Sequence, residues 1–353
     1  RRVPFRSDAI PHVVKAAIPA GIGLFIAFLG LQDAKLVIPS ESTGVTLASF
    51  NLLGGAGWGA VMPLIVAVFS LLLIAVLSHK KVKGSILWGI LGGTGLYYIL
   101  GFTVKDFYKG FAETLSFNPF KPFSAFASEA FGKVFTEGFD FSAYLSADGH
   151  SVGGLVILFI TTALAFCMVD MFDTLGTLYG ACRGGNLLVK NDKGELEVPN
   201  MDRAMMADAV ATCTGSVLGT STVTTFVESS AGVAAGGKTG VTSLVTAAAF
   251  AVALFFAPIA KLIPPYAYGA ALIYVGVLMI GSVKDIDWKD VSVSVPAFLT
   301  IAMMPFTYNI SYGIAFGLFS YVIIKAFCGE IKQIKIGTWV VTALFVAMFF
   351  LTH

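Results

Sequence analysis

Charge is scarce in this chain. Only 12% of its 353 residues are Asp, Glu, Lys or Arg, about half the share found in soluble globular domains. That excludes a water-soluble surface of ordinary extent. The formal net charge is +2, and no basic block suited to nucleic acid occurs. Cysteine and histidine are equally sparse, with four of each. Cys167, Cys182, Cys213 and Cys328 stand singly, with no CxxC spacing and no histidine cluster. Neither a metal centre, nor another cofactor, nor a disulfide framework is indicated. His12, His79, His150 and His353 fall at expected helix ends or in loops. The opening "RRVPFRSDAIPHVV" has no Met and no signal-peptide pattern.

Apolar residues fill the space that charge leaves. Hydrophobic types make up 56% of the chain, with 31 Phe and 38 Gly, and the mean hydropathy is +0.83. Glycine is commoner in membrane helices than in soluble ones. The expected class is an all-α polytopic membrane protein in the plasma or inner membrane, with the lipid bilayer as its solvent. Runs approaching the roughly 20 residues needed to cross the hydrocarbon lie near 12–33, 57–78, 83–101, 152–178, 203–219, 241–262, 265–283, 291–306 and 309–327. The run "GTWVVTALFVAMFFL" at 337–351 is short for a span. With residue 1 in the cytoplasm and the sides alternating, 17 of the 23 basic residues fall inside, in keeping with the positive-inside rule. The 102–151 segment, with six acids and four lysines, is then an extracellular loop.

One span departs from the pattern. "GTSTVTTFVESSAGVAAGGKTG" at 219–240 is too polar for a lipid-facing helix. Thr220 to Val227 reads as a short strand and Glu228 to Gly236 as a half-helix. Broken backbone at membrane depth survives only beside protein or a cavity, and carriers place substrate there. A weak echo links 10–30 with 263–281: both enter on Ile-Pro and run on through Gly-studded apolar sequence. In this threading the two cross in opposite directions, as inverted repeats do.

The chemistry concentrates in four acids within membrane segments: Asp170, Asp173, Asp208 and Glu228. Each costs roughly 2.5–3.5 kcal/mol on insertion scales, so each is expected to face a cavity or a bundle interior. In "FCMVDMFDTLGT", Asp170 and Asp173 share a helical face with Thr174 and Thr177, and Phe166 lies one turn before. Two like charges this close resist joint ionisation, so one is expected to hold a proton, as a proton-coupled carrier requires. Glu228 opens the half-helix, where a carboxylate is favoured by free N–H groups. Asp208 reads as interfacial or bonded to a neighbour. The set suits a flat, neutral, hydrogen-bonding ligand, with Phe166, Phe172 or Phe226 to stack on it. No Lys or Arg lies mid-membrane to bind an anion. An intramembrane aspartyl protease needs carboxylates facing each other from separate helices, typically in a GxGD setting; Asp170 and Asp173 share one helix and no GxGD occurs. A channel needs polar stripes on several helices, and only two segments show one.

"VDMFDTLGTLYG" and "GTSTVTTFVESSAGVAAGGKTG" resemble the two signature segments of the AzgA-like purine-base permeases, within the nucleobase–ascorbate transporter group. "IPAGIGLFIAFLGLQ" and "VPAFLTIAMMPFTY" match the same family. The resemblance implies the uracil-symporter-like fold, a 7+7 inverted repeat divided into core and gate domains. On that mapping the chain begins at the fifth of fourteen segments, leaving the fold N-terminally incomplete. Residues 1–101 and 263–353 supply gate segments, and 152–262 supply core segments, including the broken segment at 220–238. The implied function is uptake of adenine, guanine or hypoxanthine by proton symport, and not an enzymatic reaction. The closest rival is a carrier of anions or other solutes with the same fold. The implied substrate-binding residues are Asp170, Glu228, Phe226 and Val227, to which the residue reading adds Phe166 and Thr174. Asp173 and Asp170 are implied in proton coupling, and related carriers imply a homodimer.

Overall fold

The computed structural model describes residues 10–51, 57–104, 107, 123–124, 126–138, 140–146, 151–190, 196–256 and 260–352. Eleven helices of six or more residues carry it: α1 (His12–Asp33), α2 (Trp58–His79), α3 (Ser85–Gly101), α4 (Val152–Gly184), α5 (Met201–Leu218), α6 (Ser229–Ala234), α7 (Gly240–Phe255), α8 (Pro265–Met279), α9 (Val291–Thr307), α10 (Ile310–Phe327) and α11 (Ile336–Thr352). A 3₁₀ turn, Ile280–Asp285, extends α8. Among the described residues, four helical stretches are long and apolar enough to cross a membrane: His12–Asp33, Trp58–His79, Pro265–Asp285 and Ile310–Phe327. Shorter apolar helices include α3, α7, α9 and Ile336–Ala347. Part of the expected 102–151 loop, chiefly 108–122, lies outside the described residues, as do 257–259 within the run expected at 241–262.

The chain is mainly helical, as expected, and one expectation within it is corrected. Two short hairpins stand beside the helices: Val37–Ser40 (β1) pairs antiparallel with Gly44–Leu47 (β2), and Val189–Lys190 (β3) with Leu196–Glu197 (β4). Gly44, at φ +75°, supplies the left-handed backbone of the first turn. Conversely, no strand forms at 220–227. A strand needs a second extended chain to pair with. This stretch lies instead beside helices whose backbone bonds are already made.

The chain divides into two compact units. One comprises Arg1–Ile22, Phe126–Ser229 and Met279–His353; the other comprises Gly23–Ala125 and Ser230–Leu278. In the second unit, the packing between α1 and α8 rests on small residues. A Cβ on Gly30 would stand 2.5 Å from the Gly269 carbonyl oxygen, and one on Gly276 would stand 2.3 Å from that of Gly23. The order of these pairs shows that the two echoing segments run antiparallel. Ala34, Leu36, Leu64 and Ala67 form one cluster beside them, and Ile74, Ala270 and Ala271 another. Tyr98 donates to the Leu262 carbonyl at 2.7 Å, and Ser78 bonds Tyr274.

The first unit holds the acids. Its densest packing is the α9–α10 hairpin. Tyr308 (φ +55°) ends α9, with the Asn309 N–H returning to the Met304 carbonyl at 3.1 Å, a Schellman closure. The Asn309 side chain then caps α10 by accepting from the N–H groups of Ser311 and Tyr312 at 2.9 and 3.3 Å. Ala16, Ala17, Ile286 and Ala297 form a core cluster. Phe172 of α4 stacks on Phe345 of α11 at 5.3 Å, both fully buried. That contact occupies Phe172, which is therefore not free to stack on a ligand as the sequence reading allowed.

Candidate functional site

The site grows from a helix that stops. α5 ends at Gly219, whose φ of +75° is open to glycine and strained for other residues. The Thr220 N–H turns back to the Gly215 carbonyl at 2.9 Å. A side chain at 219 would meet the Ala130 backbone at 2.1 Å. Beyond it, β-branched Thr220, Thr222, Val223, Thr224 and Thr225 disfavour a new helix. The backbone stays irregular until a turn at Val227–Glu228 starts α6, where the Ser229 N–H bonds the Phe226 carbonyl at 3.1 Å.

This linker is tied by hydroxyls to both neighbouring helices. Thr222 donates to Asp170 Oδ1 on α4 at 3.2 Å. Thr225 donates to Asp208 Oδ1 on α5 at 2.9 Å. Thr174 of α4 donates to Asp208 Oδ2 at 2.6 Å and shares a 2.8 Å contact with Thr224. Thr212, one turn after Asp208, meets the Thr222 hydroxyl at 3.3 Å and donates to the Val223 carbonyl at 3.1 Å. Three segments thus share one polar seam. Asp208, 7% exposed, stands at its centre, since each of its carboxyl oxygens accepts from a different segment.

Around that seam the sequence-expected residues fall into two groups. Asp170 and Asp173 are half-buried, while Glu228 is exposed. Asp170, Asp208 and Glu228 all lie within electrostatic range of Asp173, so α4, α5 and the linker bring four acids to one locality. Phe166 and Phe226 are open, at 70% and 58% exposure, whereas Val227 is buried at 6%. Thr174 is fully buried and its hydroxyl is committed to Asp208 and Thr224. The structure therefore gathers Asp170, Asp173 and Glu228 with free surface beside them, and uses Thr174 inside the seam. Sequence reasoning gave Asp208 no central part and passed over Thr212, Thr222, Thr224 and Thr225. The available signal was six residues, "TSTVTT" at 220–225, with four threonines and a serine following an acid-bearing helix.

A family profile described as a permease family matches residues 7–316. The chain belongs to this permease family. It is a multi-pass membrane permease, and the expected membership of the nucleobase–ascorbate transporter group holds. A putative permease of Methanocaldococcus jannaschii is 38% identical over 97% of this chain and 70% of its own length. The guanine/hypoxanthine permease PbuO of Bacillus subtilis is 37% identical over 98% of the chain and 72% of its own length. The adenine permease AdeQ of Escherichia coli is 32% identical over 95% and 67% respectively. In this permease the matched region takes in the whole acid-and-threonine seam.

Proposed function

We propose that this permease carries purine nucleobases, with adenine, guanine and hypoxanthine as candidate substrates, by proton symport. The names of the similar proteins support the substrate class. The observation that carries the site is the meeting of a carboxyl-bearing helix with an exposed Glu228 and Phe226 on one tethered linker. Asp170 and Glu228 accept the base's N–H groups, which a purine presents in its ring plane. Phe226 and Phe166 offer flat apolar faces for stacking, and buried Val227 fixes the linker from below. Asp173, flanked by three other acids, takes and releases the coupled proton, with Asp170 as its partner.

In this reading α4 to α7 act as the core, and α1–α3 with α8–α10 act as the gate, arranged as part of a 7+7 inverted repeat and working as a homodimer. An anion carrier on the same fold is disfavoured, because four acids at one locality repel an anion.

The test is uptake of radiolabelled adenine, guanine and hypoxanthine by cells stripped of their own purine permeases and expressing this chain. Uptake of at least one base, collapsing on addition of a protonophore, is expected. Asp170→Asn and Glu228→Ala should each abolish binding of the transported base. Unchanged affinity in both variants removes the site assignment, and uptake indifferent to the protonophore removes the coupling.

A further inference from the structure

The far end of α4 is held in a way that the transport reading does not use. Arg183, in its last turn, forms an ion pair with Asp285, the last residue of the 3₁₀ turn after α8. The two side chains are 23% and 21% exposed, so the pair is mostly withdrawn from solvent. One turn earlier, Gly180 sits flush against its neighbours: a Cβ there would stand 3.0 Å from Met279 and 3.2 Å from Pro19. Beside this contact the packing is incomplete. A cavity of about 40 Å³ lies between α1, α4 and the start of α5, lined in part by Ile18, Gly176, Tyr179, Val198 and Met201. It has room for water. The Tyr179 hydroxyl is buried and has no hydrogen-bond partner among the described residues. A helix end with a smooth glycine face, a neighbouring void and an unsatisfied hydroxyl can shift at small cost. The charged contact at this end of the helix is the ion pair.

We propose that Arg183 and Asp285 form a latch. It holds the end of α4 to the Ile280–Asp285 turn and parts each time the permease opens on that side of the membrane. The inference rests on the reading that α4, which carries Asp170 and Asp173, moves during transport. A largely withdrawn pair suits this role. Losing one partner strands the other charge, while both are satisfied together either in contact or in water. The latch therefore favours two end states over intermediate ones.

Cys182 adjoins Arg183 and is half-buried, whereas Cys167, Cys213 and Cys328 are exposed. With those three replaced by Ser, the rate at which a membrane-impermeant maleimide labels Cys182 in oriented vesicles reports opening. Arg183→Gln and Asp285→Asn should each speed labelling about fivefold, the scale of an ordinary contact-pair coupling. The exchanged pair, Arg183→Asp with Asp285→Arg, should return the rate to within about twofold of the parent. Each single variant breaks the same bond from its own side, so either carries the test if the other fails to insert. Parent-like labelling in the single variants overturns the latch, as does an exchanged pair that stays fast. Labelling needs no substrate, so a wrong substrate assignment leaves this result intact. Base uptake by the same vesicles tests that assignment separately.

Discussion

Replacing Asp208 by Ala tests the seam most directly. Asp208 accepts from Thr174 at 2.6 Å and from Thr225 at 2.9 Å. After truncation Thr174 keeps its contact with Thr224 at 2.8 Å, so it loses one bond, worth about 0.5–1.5 kcal/mol net. Thr225 keeps no partner among the described residues, and a stranded, partly buried hydroxyl costs about 1–3 kcal/mol. The sum is about 3 kcal/mol of linker anchoring, or roughly a hundredfold in the opening equilibrium. The linker's two ends carry reporters: the Thr220 amide bonded to Gly215 and the Ser229 amide bonded to Phe226. Hydrogen exchange at both should accelerate by about that factor in Asp208→Ala. Asp208→Asn should be milder, about fivefold, because its amide oxygen keeps one hydroxyl donor and the other hydroxyl can turn to accept from the NH₂ group. Base affinity should fall in the same order. Wild-type exchange at both amides in Asp208→Ala, or equal damage from Asn and Ala, would refute the argument that this side chain ties the linker down.

Asp173→Asn should spare base binding more than transport, measured as equilibrium binding against proton-driven uptake; equal loss of both contradicts its assignment to the proton. Gly30→Ala should destabilise the permease by about 1–3 kcal/mol, because its new methyl would meet backbone atoms of Gly269 and Ile273 that cannot rotate away. Gly95→Ala on α3 meets nothing within 4 Å, and should be neutral or gain up to about 1 kcal/mol; thermal denaturation in detergent ranks the two. Asp290 caps α9 from outside the helix, and hydrogen bonds from Ser292, with its N–H at 2.8 Å, hold its carboxyl below the usual range. A depressed folded-state value means the cap is fully present above the ordinary carboxylate range and is lost as pH falls through the depressed value. Amide exchange in the first turn of α9 should therefore rise in acid. The same rise in Asp290→Asn would assign it to another group.

The helices were legible because long apolar runs leave the chain little else to do in a bilayer. The run at 12–33 became His12–Asp33, 83–101 became Ser85–Gly101, and 309–327 became Ile310–Phe327. The break after α5 was legible too, since Gly219 followed by β-branched residues cannot continue a helix. The hairpins were not, because two to four paired residues leave no periodic trace. The linker's true partners were hidden for a different reason. Threonine hydroxyls seek whichever acceptor lies nearest in space, and nothing local ties Thr225 to Asp208, 17 positions earlier. Phe172 could not be told from Phe166 by composition. Only packing puts one against Phe345 and leaves the other open.

The 33 residues of α4 amount to a rod of about 50 Å at 1.5 Å per residue, while the hydrocarbon slab is about 30 Å thick. Hiding it all would take a lean of some 50°, steeper than the roughly 0–40° that spanning helices adopt. On the expected span at 152–178, several ångströms of this rod stand proud of the lipid tails. Asp170 is its nineteenth residue, about 27 Å from one tip and 21 Å from the other. In the proposed carrier reading, such a rod centred in the slab carries its acid pair to mid-depth and its tips among the headgroups, so a push at either tip has a lever arm of more than 20 Å on the carboxyls.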